Sequence, residues 1–231
     1  MNIFLPRLGL YPIRIRYGFL ALLLAAFGAL ALGLARPAYA AEEAPDALIQ
    51  RVTTDVLSQI RADKSIRAGD MSKIMQLVND QVMPNIDFQR MTAATVGPAW
   101  RQAAPEQKQR LQQEFKTLLV RTYAGALTQV SDQTVTLQPF RAAPGDTDVL
   151  VRTVVRNANG GGKAVQIDYR LAKAQDAPGG WRVYNLNVMG IWLVDTYRTQ
   201  FAQEINAHGI DGLINALAER NKALQNGDPR N

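Results

Sequence analysis

The apolar residues of this 231-residue chain change their spacing twice, and that change restricts the fold more than any single motif. From residue 45 to about 130 they recur at three- and four-residue steps, as on one face of a helix. From 134 to 190 they alternate instead; Val165, Ile167, Tyr169 and Leu171 fall on one side, with Gln166, Asp168 and Arg170 on the other. After Gly190 the helical step returns through Leu193, Val194, Tyr197 and Phe201. Helices, then a run of strands, then helices argue an α+β fold. Clean alternation means that one face of the sheet is wet and the other is covered.

The first helix spans 45–62, with Leu48, Ile49, Val52, Val56 and Ile60 on one face. Asp70 is the expected N-cap of a second helix that stops near Pro84, and Asp87 that of a third ending near Gly97. Pro105-Glu106 starts a long fourth helix, 105–130, whose apolar face includes Leu111, Phe115, Leu118, Leu119 and Leu127, with Tyr123 beside it. Four strands are expected at 134–140, 147–157, 163–173 and 181–190, joined at Ala143–Asp146, Asn157–Gly162 and Ala177–Gly180. Trp181 and Val183 alternate out of phase with Tyr184, Leu186 and Val188, which predicts a bulge near 183–184. Two closing helices, 191–207 and 211–225, part at Gly209, with Asp211 as a cap. A curved four-stranded antiparallel sheet with helices over its apolar face is the economical arrangement, and it makes a pocket.

The first 40 residues read differently. Arg7, Arg14 and Arg16 precede the uncharged stretch Tyr17–Ala35, and Ala38-Tyr39-Ala40 precedes Ala41. That pattern describes a signal peptide cut after Ala40, an exported periplasmic protein and a domain over 41–226, with a frayed tail at 227–231. The alternative is an uncleaved anchor. Removing the leader takes away four arginines and no acid, leaving 22 basic and 20 acidic residues and a net charge of +2. The basic balance of the whole chain therefore does not argue for nucleic acid, which needs a basic stripe. There is no cysteine, so neither disulfides nor thiolate zinc sites contribute.

Candidates for chemistry are few. His208 is the only histidine and suits a structural or surface position at a helix end. Gly160-Gly161-Gly162-Lys163 lacks the phosphate-loop spacing and reads as a hairpin turn. Asp168 and Tyr169 are strand neighbours that point to opposite faces, so they cannot share a substrate. Asp195 and Arg198 form a modest surface pair. Met71, Met75, Met83 and Ile86 add apolar character beside the helix stripes, and methionine adapts to irregular contents. Neither a catalytic constellation nor a cofactor or metal site is expected.

The segment 181–217, WRVYNLNVMGIWLVDTYRTQFAQEINAHGIDGLINAL, resembles the C-terminal signature of the MlaC (toluene-tolerance, Ttg2-type) family of periplasmic phospholipid-binding proteins. The matching residues are Trp181, Val183, Tyr184, Gly190, Tyr197, Arg198, Phe201 and Gly209-Ile210-Asp211-Gly212-Leu213. Upstream, GPAWRQAAPEQKQRLQQEFKTLLVRTYAGAL (97–127) is similar to the family's G-x-x-W…T-P-x-Q…T-Y stretch. Two departures make the strand-to-helix joint more apolar: Met189-Gly190-Ile191-Trp192 stands where many relatives carry E-G-[VI]-S, and Asn185 replaces an aspartate.

The resemblance implies an NTF2-like cone with extra helices around a deep apolar cavity, and a carrier of diacyl phospholipid. The partners it implies are an inner-membrane ABC transport complex and an outer-membrane lipoprotein complex, with the chain a monomer. Exposing about 30 acyl methylenes to water would cost roughly 24 kcal/mol at ~0.8 kcal/mol each, and a dry cavity of about 1,000 Å³ would hold two chains. On that reading Val149, Val151, Val165, Ile167 and Tyr169 face the lipid from the sheet. Leu118, Leu119 and Tyr123 oppose them, Met83 and Ile86 sit near the mouth, Ile191 lines the pocket, and Trp192 is either a wall residue or a docking surface at the mouth. The alternatives are an NTF2-like pocket enzyme acting on an apolar substrate, which would need a buried acid or base, and a scaffold module with a filled core.

Overall fold

A computed structural model describes residues 43–158, 163–177 and 179–227. The expected leader with its cut after Ala40, the Gly160–Gly162 turn and the tail beyond Gly227 lie outside the described residues. Helix α1 (Pro45–Ala62) starts with a proline in its first turn and ends at Asp63, whose carboxylate accepts from the Ser65 amide at 2.7 Å and starts the short α2 (Lys64–Arg67). Asp70 caps α3 (Met71–Leu77) by accepting from the Ser72 and Lys73 amides, as the sequence predicts. The backbone then widens into a π-helical turn at Val78–Val82 and tightens into a 3₁₀ turn at Met83–Asn85. Asp87 caps α4 (Phe88–Val96) through the Arg90 amide, and a 3₁₀ turn at Gly97–Arg101 leads to α5 (Pro105–Thr128).

The sheet is antiparallel with strands in sequence order: β1 (Gln133–Leu137), β2 (Asp148–Asn157), β3 (Val165–Lys173), β4 (Trp181–Val188) and β5 (Ile191–Trp192). It has five strands where four are expected. The residues read as the start of a helix pair back onto β4 first, Val188 with Ile191 and Asn187 with Trp192. The expected bulge is present: Arg170 opposes Asn185 while Leu171 opposes Val183, leaving Tyr184 as the extra residue. This shift keeps Trp181 and Val183 on the same face as Leu186 and Val188.

Helix α6 (Leu193–Gln225) closes the chain and breaks its helical backbone at Gly209 (φ 72°, ψ −172°), where the sequence separates two helices. Asp211, expected as the cap of the second segment, accepts a hydrogen bond from Gln107 Nε2 of α5 instead, at 2.8 Å. Gly212 is fixed by close approach, since a Cβ there would lie 2.2 Å from His208 Cβ.

Three clusters make the core. Phe115 of α5 meets Tyr197 and Phe201 of α6 edge-on, at 5.2 and 5.1 Å between ring centroids. Leu48 and Ile49 of α1 pack on Val149, Val151, Leu171 and Val183 of the sheet. Ile60, Ile66, Ile74 and Leu77 pack against Val120 and Ala124 of α5. The segment after the π turn is pinned between them: Ile86 bridges to Val183, and the Asp87 amide donates to the Val183 carbonyl at 2.8 Å.

Candidate functional site

The side chains between these clusters leave two adjoining apolar lobes. The larger, about 440 Å³, lies between α5 (Leu119, Tyr123, Leu127), the π and 3₁₀ turns (Val78, Val82, Met83), and the sheet face carrying Val165, Ile167, Leu186 and Val188. The smaller, about 240 Å³, lies between α1 (Leu48, Val52, Val56) and Val135 and Val155 of β1 and β2. Val82, Ile86, Ile167, Tyr169 and Leu186 line both. Instead of the single space of about 1,000 Å³ expected for two chains, there are two smaller volumes meeting at these five residues. Ile86, one of the five, is held against the sheet by its bridge to Val183.

Of the twelve residues expected at the site, the structure brings seven to the lobes: Met83, Ile86, Leu119, Tyr123, Val165, Ile167 and Tyr169. The other five lie elsewhere. Leu118 is one step round α5 from Leu119 and is buried in the Phe115 cluster. Val149 and Val151 are on the expected face of β2, but toward the end that α1 covers, so Leu48 and Ile49 occupy the space before them. Ile191 pairs with Val188 on the lobe side of the sheet but lies at its short outer edge, 58% exposed, and lines neither lobe. Trp192 pairs with Asn187 on the opposite face of the sheet, where the Arg170 guanidinium lies 4.5 Å from its ring centre.

Several lining residues escaped sequence reasoning. Leu186 and Val188 carried a usable signal, since they alternate in phase with the inward set after the bulge. Val78 and Val82, four residues apart, belong with Ile74 and Leu77 to the apolar stripe of the second helix, but nothing in that spacing told that the π turn would set them at a lobe. Asn185 and Asn187 were also missed. Both are buried, and they build the joint: Asn185 Oδ1 accepts from the Leu186 and Val194 amides, and Asn187 Oδ1 from the Gly190 amide.

Polar groups at the lobes are few and mostly engaged. Thr53 Oγ1 donates to the Ile49 carbonyl, Asn85 Nδ2 to the Gln81 carbonyl, and Lys116 Nζ to Asn79 Oδ1 at 2.9 Å. Burial pushes the Tyr169 phenol above its ordinary value, partly offset by a hydrogen bond with Thr153, with the Asp168 charge adding to the rise. Burial also raises Tyr123. Neither lobe is lined by Asp, Glu or His. Asp168 lies on the other face of the sheet, held by Gln166 at 3.0 and 3.2 Å. His208 is exposed and pairs with Glu204 one turn earlier, and Asp195 pairs with Arg198 at 3.5 Å. The arrangement can enclose hydrocarbon, and it presents no carboxylate or imidazole to whatever it encloses.

Comparison with known proteins agrees with this geometry. Residues 50–219 match the MlaC protein family. The toluene tolerance protein ttg2D of Pseudomonas putida is 28% identical over 193 residues, covering 80% of this chain and 87% of that protein. The intermembrane phospholipid transport system binding protein MlaC of Haemophilus influenzae is 23% identical over 179 residues, covering 78% and 83%. A phospholipid-binding protein from Ralstonia solanacearum, solved in complex with a phospholipid, is 46% identical with a TM-score of 0.73; the match covers 78% of this chain and 98% of that one.

Proposed function

The chain belongs to the MlaC family, and we propose that it is a periplasmic carrier of diacyl phospholipid, exported with loss of residues 1–40 and acting without a cofactor. The observation that carries this reading is the pair of apolar lobes, which meet at Val82, Ile86, Ile167, Tyr169 and Leu186 and are lined by neither acid nor histidine. Acyl chains gain there what they lose on leaving a bilayer, while the headgroup stays in water. A lining without carboxylate or imidazole favours binding over an enzyme acting on an apolar substrate, because it lacks the side chains that most often serve as general acid or base. Among the described residues no helix is long and apolar enough to cross a membrane. The carrier passes lipid between an outer-membrane lipoprotein complex and an inner-membrane ABC complex, as a monomer between encounters.

Native mass spectrometry of the exported protein, purified without detergent and paired with lipid extraction, tests this. The expected mass is that of the chain beginning at Ala41 plus one diacyl phospholipid. A bare polypeptide mass that persists after mixing with phospholipid vesicles would overturn the proposal.

A further inference from the structure

The exposed large apolar side chains among the described residues are Tyr123, Met189 and Ile191, at 40%, 60% and 58% exposure. Each lines the larger lobe or is next in sequence or in strand register to a residue that does. Tyr123 lines it, Met189 is the first residue of the two-residue turn Met189-Gly190, Ile191 follows that turn, and the nearby Val188 and Leu193 also line the lobe. The lobe therefore reaches solvent between the C-terminal half of α5 and the β4–β5 hairpin.

The hairpin is unusual in what it places at its tip. Met189 (φ 52°) and Gly190 (φ 89°) are both left-handed, the pattern of a tight turn that favours asparagine or glycine at the first position. Met189 is the described non-glycine residue with positive φ. A long apolar side chain thus occupies a position where the backbone disfavours it, and nothing lies within 4 Å of where a Gly190 Cβ would be, so the tip projects freely. Turn stability does not explain methionine here, and neither does packing.

At the base of the hairpin the chemistry changes. The Arg170 guanidinium lies over the Trp192 ring, is exposed and makes no ion pair among the described residues. Acids on neighbouring positions of the sheet and helix are engaged or covered: Asp148 pairs with Arg90 and accepts from the Tyr184 hydroxyl, Asp195 is paired with Arg198, and Asp168 is 8% exposed and held by Gln166. Two apolar side chains at a projecting tip, an indole behind them and a free cation beside the indole are graded as a bilayer is, from hydrocarbon through interface to anionic headgroup.

We propose that the Met189–Ile191 hairpin is a lipid-surface anchor, which sinks Met189 and Ile191 into a bilayer, sets Arg170 among anionic headgroups and holds the mouth of the larger lobe against the membrane. The proposal rests on the carrier reading and adds to it a direct contact with lipid. An apolar tip aimed at hydrocarbon shortens the path of an acyl chain through water, which is the costly step of transfer.

Vesicle flotation of the exported protein tests the anchor, using phosphatidylethanolamine vesicles with and without phosphatidylglycerol. The wild type is expected to float, and to do so better with phosphatidylglycerol. Met189→Asn/Ile191→Asn should weaken flotation by more than about tenfold, the loss expected when two apolar side chains stay in water. Asparagine suits the turn at 189, so the variant should keep its fold and the phospholipid extracted from it. Equal flotation of variant and wild type, or no flotation of the wild type, overturns the anchor and leaves docking to a protein partner in its place. Flotation indifferent to phosphatidylglycerol overturns the Arg170 contact. Recovery of phospholipid from the same preparations separates the two ideas: lipid without flotation sinks the anchor alone, whereas lipid missing from every preparation sinks the carrier reading beneath it.

Discussion

Ile167 and Ile191 carry the same side chain and differ in everything around it. Ile167 lines both lobes from the middle of β3, whereas Ile191 is exposed on the short fifth strand. A carboxylate at 167 would have to enter an apolar wall or push it open. Ile167→Asp is therefore expected to lose nearly all copurified phospholipid, with the far-ultraviolet circular dichroism spectrum kept. Ile191→Asp should retain wild-type lipid content. Lipid extraction from both variants checks the pair, and equal retention would remove Ile167 from the site.

The tyrosines make a second prediction at this scale. Tyr169, Tyr197, Tyr184 and Tyr123 are all pushed above the ordinary value of 10.0, in each case chiefly by burial. Above that value the unfolded chain gives up its phenolic protons before the folded one does, so the unfolded state binds fewer protons and stability falls as pH rises. Urea unfolding at about pH 9 and about pH 11 should show this loss, and Tyr169→Phe should reduce it. A variant with the wild-type slope would mean that Tyr169 is not among the groups responsible.

At the scale of elements, the G-I-D-G-L stretch is where backbone geometry decides packing. At φ 72° and ψ −172°, Gly209 occupies a region essentially closed to other residues, and the break aims Leu213, Ile214 and Leu217 into the Phe115 cluster. Gly209→Ala is expected to cost about 1–3 kcal/mol, read as a lower urea midpoint with an unchanged slope.

The sequence announced this break, the Asp70 and Asp87 caps, and the bulge in β4, because each is written in a few neighbouring residues. It did not announce β5 or the π turn. Ile191-Trp192 becomes a strand only because β4 is there to receive it, and the π turn is a departure from the helical period that sequence reading assumes. The site was legible to the same degree. Alternation told correctly which face of β2 carries Val149 and Val151, but not that α1 would cover that end of it. A period of two gives the side of a strand, whereas position along it depends on what the rest of the chain lays across.

In the whole molecule, the two lobes lie among three core clusters, each with residues that face a lobe and others that do not. Phe115, Leu111, Leu118, Ile60, Ile74, Val151 and Leu171 are almost wholly buried in those clusters and belong to neither lobe, so the fold does not depend on a lipid to complete its core. A ligand held in the lobes adds stability by mass action on top of that core. Binding at a free concentration 100 times Kd contributes about 2.7 kcal/mol, which for a domain of this size corresponds to a rise in Tm of roughly 5–10 °C. Stripping the protein of lipid with organic solvent and refolding it should therefore leave the secondary structure unchanged while lowering Tm by about that amount. Phospholipid added back should restore the difference, and in Ile167→Asp it should restore nothing. If stripping instead unfolds the chain, the lipid is a structural component of the core; if Tm does not move, the lobes do not hold it. A carrier needs the intermediate result, because it must stay folded between loading and release yet gain enough from its cargo to draw it out of a bilayer.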